Sequence, residues 1–72
     1  MITLSVHFAA TTDNFDVLSA KVEKAAGCSC ESSGFGLGGR DMEFGFKTKH
    51  LAQKAADRID ALGLEDFTAD ID

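Results

Sequence analysis

Three stretches of the chain alternate apolar and polar residues, and two repeat apolar residues at helical spacing. Ile2, Leu4, Val6 and Phe8 alternate with Thr3, Ser5 and His7, the period of a strand with one buried face. After a loop over residues 9–12, Phe15, Leu18, Val22 and Ala25 recur as on an amphipathic helix. Thr12 or Asp13 is placed to cap that helix, Asp16 sits near the positive end of its dipole, and Gly27 is suited to stop it. A second strand is expected from Cys28, its alternation blurring after Ser32 so that it bulges or ends near the glycines. Met42, Phe44 and Phe46 alternate with Glu43, Gly45 and Lys47 as a third strand. Thr48 can cap a second helix with the apolar stripe Leu51, Ala55, Ile59 and Leu62, stopped by Gly63. Phe67, Ala69 and Ile71 alternate with Asp66, Thr68, Asp70 and Asp72 as a last strand.

The order β-α-β-β-α-β within 72 residues predicts one α+β domain over residues 1–72. The expected form is a ferredoxin-like sandwich: a four-stranded antiparallel sheet in the order 4-1-3-2 with two helices on one face. A different α+β roll of the same elements is the alternative. So short a chain holds a small core, and either a monomer or a homodimer is expected.

The run Gly34-Phe-Gly-Leu-Gly-Gly39 fits the dinucleotide-binding pattern G-x-G-x-x-G by letter. A phosphate cradle needs a helix immediately after it, and here Arg40-Asp-Met-Glu-Phe-Gly-Phe-Lys47 reads as a strand. Gly38-Gly39 is therefore expected in a tight hairpin between strands two and three.

Twelve acidic residues face seven Lys and Arg, for a net charge of −5. That balance argues against direct binding to nucleic acid or to an anionic membrane and favours a basic partner. The chain begins MITLSVHFAA, without the basic start and long apolar run of a signal peptide, and no stretch approaches the roughly 20 apolar residues of a membrane span. The cytoplasm is the expected location.

Cys28 and Cys30 lie two apart and would share a face of a regular strand; His7 and His50 would have to converge with them to complete a metal site. Two small, buried, hydrophobe-like thiols is the simpler expectation, and no cofactor is expected. The first loop, AATTDN, has neither the C-x-x-C of ferredoxin-like metal chaperones nor the arginine of acylphosphatases. No nucleophile–base–orienter set emerges from the spacing, so the chain is not expected to be an enzyme.

Carrying the alternation through the sheet gives the most informative pattern. One face would be covered by the helices. The other would show Thr3, Ser5 and His7, then Ser29 and Glu31, then Glu43, Gly45 and Lys47, then Asp66, Thr68, Asp70 and Asp72. Glu65 adjoins that end, and Asp57 and Asp60 can add to it from helix two. The candidate partner-binding residues are Glu31, Glu43, Glu65, Asp66, Asp70 and Asp72. RNA-binding domains of similar topology carry aromatic and basic residues there, the reverse of this pattern.

Small size, acidity, a plain start, the acidic tail LEDFTADID and the carboxylates Glu31 and Glu43 give a chain that resembles small phage-encoded inhibitors, in particular anti-CRISPR proteins. The likeness is one of type and spans the whole chain. It implies a non-enzymatic inhibitor in the host cytoplasm that occupies a basic, nucleic-acid-binding protein surface, such as a CRISPR effector subunit, as a DNA mimic. A small-ligand or metal-binding ferredoxin-like module is the alternative reading.

Overall fold

A computed structural model describes residues 1–11, 13–36 and 39–72. In chain order the elements are β1 (Ile2–Phe8), α1 (Phe15–Ala26), β2 (Ser32–Gly36), β3 (Gly39–Phe46), α2 (Lys49–Asp60) and β4 (Thr68–Ile71). The strands form one antiparallel sheet in the order β2-β3-β1-β4, which is the expected ferredoxin-like order read from its other edge.

β1 sets the register. Leu4 stands opposite Phe44 of β3 and Ile71 of β4, and Val6 opposite Met42 and Ala69. Leu4, Val6, Phe8, Met42 and Phe44 are buried in one cluster with Val22 and Ala26 of α1 and Ala52, Ala55, Ala56 and Ile59 of α2. Both helices therefore lie on the even-numbered face of β1. Each large side chain enclosed there contributes about 1.5–3 kcal/mol by leaving water.

The helix ends are satisfied by different means. Thr48 caps α2 as expected, its side chain accepting from Leu51 N at 3.2 Å. Gly27 ends α1 in the left-handed region at φ 82°, where a side chain would be strained. Arg58 of α2 completes that end: its Nε donates to Ala25 O at 2.6 Å and its Nη2 to Ala26 O at 3.3 Å.

Several local expectations are corrected. α1 starts from Asn14, whose side chain accepts from Thr11 N at 2.7 Å and does not cap the helix; Asp13 lies in the preceding turn and Thr12 lies outside the described residues. β2 begins at Ser32, four residues later than Cys28, because Glu23 Oε2 accepts from Cys30 N at 2.9 Å and holds residues 28–30 beside the helix. Cys28 and Cys30 thus share no strand face, and Cys28 is exposed. The buried stripe of α2 is Ala52, Ala55, Ala56 and Ile59; Leu51 and Leu62 are 45% and 41% exposed. Alanines there let the helix lie close to the sheet. Asp66 is in a turn at φ 52°, outside β4, and Lys47 lies past the end of β3. Gly36 pairs with Gly39, so β2 and β3 form a hairpin; Gly39 is the first residue of β3, and Leu37 and Gly38 lie outside the described residues.

Replacing Phe44 by Ala should remove about 3–5 kcal/mol and replacing Thr48 by Ala about 1 kcal/mol, read from urea unfolding followed by circular dichroism. A Phe44→Ala protein within about 1 kcal/mol of the parent would contradict the enclosed position of that ring.

Candidate functional site

The odd-numbered face of β1 has no helix over it. The registers place its residues in three rows across the sheet. The middle row runs Ser32, Glu43, Ser5, Asp70 from β2 to β4. The second runs Gly34, Asp41, His7, Thr68. The third brings Gly45 and Thr3 together, and Asp72 joins it through paired backbone hydrogen bonds with Thr3 at 3.0 and 2.9 Å.

Down the strands, the same arrangement makes columns. β3 carries Asp41 and Glu43, β4 carries Asp70 with Asp72 directly after it, and β1 between them carries Thr3, Ser5 and His7. Same-face residues of one strand lie roughly 7 Å apart and the two acidic columns roughly 9.5 Å apart, two inter-strand spacings. The floor between them is a shallow depression of about 340 Å³ lined by Ser5, His7, Ser32, Asp41, Glu43 and Asp70, among others.

Short side chains hold several of these groups in place. Ser32 Oγ donates to Glu43 Oε1 at 2.7 Å and Ser5 Oγ to Glu43 Oε2 at 3.3 Å, so each carboxylate oxygen of Glu43 has a hydroxyl. His7 Nδ1 donates to Asp41 Oδ1 at 2.6 Å. Asp41 thus orients His7 as it would a general base. Among the described residues, however, no hydroxyl or thiol is hydrogen-bonded to His7, and Ser5 and Ser32 are turned to Glu43. Among the described residues no group of three or more His, Cys, Asp or Glu is arranged to hold a metal ion. Burial, with the Glu23 carboxylate beside it, pushes the Cys30 thiol above its ordinary pKa and keeps it in the unreactive protonated form.

The candidate residues divide in two. Glu43, Asp70 and Asp72 stand on the open face as expected, and Glu31 reaches it from just before β2, its carboxylate lying over Gly45. Glu65 and Asp66 sit in the turn leading into β4, where Glu65 O accepts from Ala9 N at 2.9 Å. Ser29 lies in the segment before β2 instead of on the sheet. Asp57 and Asp60 belong to the helix layer. Asp41 was missed, although it lies two residues before Glu43, the spacing that puts both on one face.

The charge is partitioned between the layers. The helices and the turn before α1 hold Asp13, Asp16, Glu23, Asp57 and Asp60 against Lys21, Lys24, Lys49, Lys54 and Arg58, and so balance. The whole surplus of −5 lies in the strands and the other connecting segments, which hold seven acids but only Arg40 and Lys47. Arg40 is turned away from the open face: its guanidinium lies 5.2 Å from the centre of the Phe15 ring on α1, and Nη2 donates to Ser33 Oγ at 3.2 Å.

Compared with protein-family models, with curated proteins and with solved structures, the chain has no match. Among the described residues no helix is long and apolar enough to cross a membrane.

Two glycines of the open face separate tight from loose packing. A Cβ at Gly39 would meet the His7 ring at 2.5 Å and the backbone oxygen of Phe8 at 2.8 Å. The atoms nearest a Cβ at Gly45 would be those of the flexible Met1 and Glu31 side chains. Gly39→Ala should therefore cost about 1–3 kcal/mol in urea unfolding, and Gly45→Ala less than about 1 kcal/mol. Equal costs would contradict the close seat of His7 on Gly39. Iodoacetamide at pH 8 should label the exposed Cys28 before Cys30, read by peptide mass spectrometry; equal rates would contradict the sheltered position of Cys30.

Proposed function

We propose that the chain is a non-enzymatic inhibitor that binds a basic, nucleic-acid-binding protein surface through its open sheet face. The observation that carries this reading is the charge partition: the surplus negative charge lies outside the helices, and five of its seven acids stand on the sheet face opposite the helices. The three rows include no Phe, Tyr, Trp, lysine or arginine, so the face suits a cationic protein surface rather than bases or phosphates. Glu43 is pre-oriented by two hydroxyls, which lowers the entropy lost when a partner cation pairs with it.

In this reading Glu31, Glu43, Asp70 and Asp72, joined by Asp41, form the contact, and Glu65 and Asp66 extend its field at one end. The two acidic columns present to a basic groove the field it normally receives from a nucleic-acid backbone, and the chain competes as a DNA mimic. The resemblance to anti-CRISPR inhibitors supports a CRISPR effector subunit as the partner and the host cytoplasm as the location. No cofactor takes part.

The test is capture of an effector complex on the tagged chain from lysates of bacteria that carry CRISPR effectors. Capture should occur at low salt, be competed by duplex DNA, and be lost near 1 M salt, where the screening length falls to about 3 Å. Changing Glu43, Asp70 and Asp72 together to their amides should weaken binding about 10-fold or more, with an unchanged circular dichroism spectrum. Undiminished binding by that variant would sink the charge mechanism.

A further inference from the structure

The two outer edges of the sheet are built differently. β4 ends one side with Asp70 inside the strand and Asp72 directly after it. β2 ends the other with Ser-Ser-Gly-Phe-Gly, which carries no charge and no proline, and among the described residues it pairs only with β3. An outer strand offers unpaired backbone donors and acceptors to any added strand, and charges or prolines are the usual protection. Ser32, Ser33 and Gly34 are exposed, and nothing lies within 4 Å of where a Cβ at Gly34 would stand. A glycine within a strand permits close approach by another backbone.

We propose that β2 pairs antiparallel with β2 of a second copy about a two-fold axis at Gly34, the central residue of the strand. Charge placement selects this edge and this occupant. Joined through β2, the nearest acidic columns of the two copies, on their β3 strands, stand three inter-strand spacings apart, roughly 14 Å. That exceeds the screening length of about 8 Å at physiological salt, so a chain of net charge −5 can meet its own copy there. Glu31, the acid nearest β2 in sequence, has its carboxylate drawn back over Gly45 of β3. Joined through β4, Asp70 and Asp72 and their copies would sit on adjoining strands, where like charges repel. The two-fold leaves both helix layers on one side of an eight-stranded sheet and both open faces on the other. This inference does not rest on the inhibitor reading.

The test begins with light scattering of the unaltered chain after size exclusion. The mass should rise with concentration from 7.6 kDa towards twice that value. A mass fixed at 7.6 kDa up to millimolar concentration overturns the proposal. The second arm places single cysteines in a chain whose Cys28 and Cys30 are serine, with diamide as the oxidant. Residues facing each other across an antiparallel pair have Cα atoms about 4.5–5.5 Å apart, within disulfide range. Gly34→Cys should cross-link at least about tenfold faster than Asp70→Cys. Cross-linking of Asp70→Cys at an equal rate, or a monomeric Gly34→Cys chain, overturns the proposal. The second result is also the one expected if the edge takes only a strand from a different protein.

Discussion

The structure depends on the register of β1. This strand lies inside the sheet between β3 and β4, and it buries Leu4, Val6 and Phe8 on one face while Thr3, Ser5 and His7 face outward. A slip of one residue against either neighbour would exchange the two sets completely. The burial of Leu4 against Phe44 and Ile71 therefore does two things. It supplies apolar stabilisation, and it determines which carboxylates stand together on the open face. The placement of Asp41, Glu43 and Asp70 is a by-product of packing on the opposite side of the same strands.

That coupling explains which parts of the molecule were legible in the sequence. β1 and β3 were legible because their alternation is uninterrupted and their buried members are large. The strand order followed from the succession of elements, since βαββαβ has few unknotted arrangements. Glu43, Asp70 and Asp72 were placed correctly for the same reason. β2 was displaced because its residues carry no apolar alternation, and its start is set by a tertiary contact, Glu23 to the backbone of Cys30, that has no local signature. Leu51 and Leu62 are more apolar than Ala52 and Ala56, but it is Ala52, Ala55 and Ala56, with Ile59, that α2 turns to the core. Asp41 stands just before the alternation of Met42, Phe44 and Phe46 that marks β3, and the alternation through Asp66 carries no sign of the positive φ that keeps that residue out of β4.

The separation of charge between layers has a thermodynamic side. Acids crowded on one face repel one another and lower stability, and a chain of 72 residues has only a small core with which to offset this. The hydroxyl column on β1 moderates the cost. Ser5 donates from β1 to Glu43 of β3, and His7 donates to Asp41, so the β3 carboxylates each meet a donor before meeting another acid. The β4 column relies on solvent and on its position at the edge of the sheet. Concentrating acids on a surface is compatible with folding here because small polar residues separate the columns.

The guanidinium of Arg58 at the end of α1 bears on how the chain comes to be folded at all. The carbonyls it satisfies, Ala25 and Ala26, precede it by 33 and 32 positions. Without α2 in place these two carbonyls lack the guanidinium that completes the end of α1. β1, likewise, takes as its neighbours β3 and β4, both of which follow α1 in the chain. The amino-terminal half therefore depends on the carboxy-terminal half both for the end of its helix and for the partners of its strand.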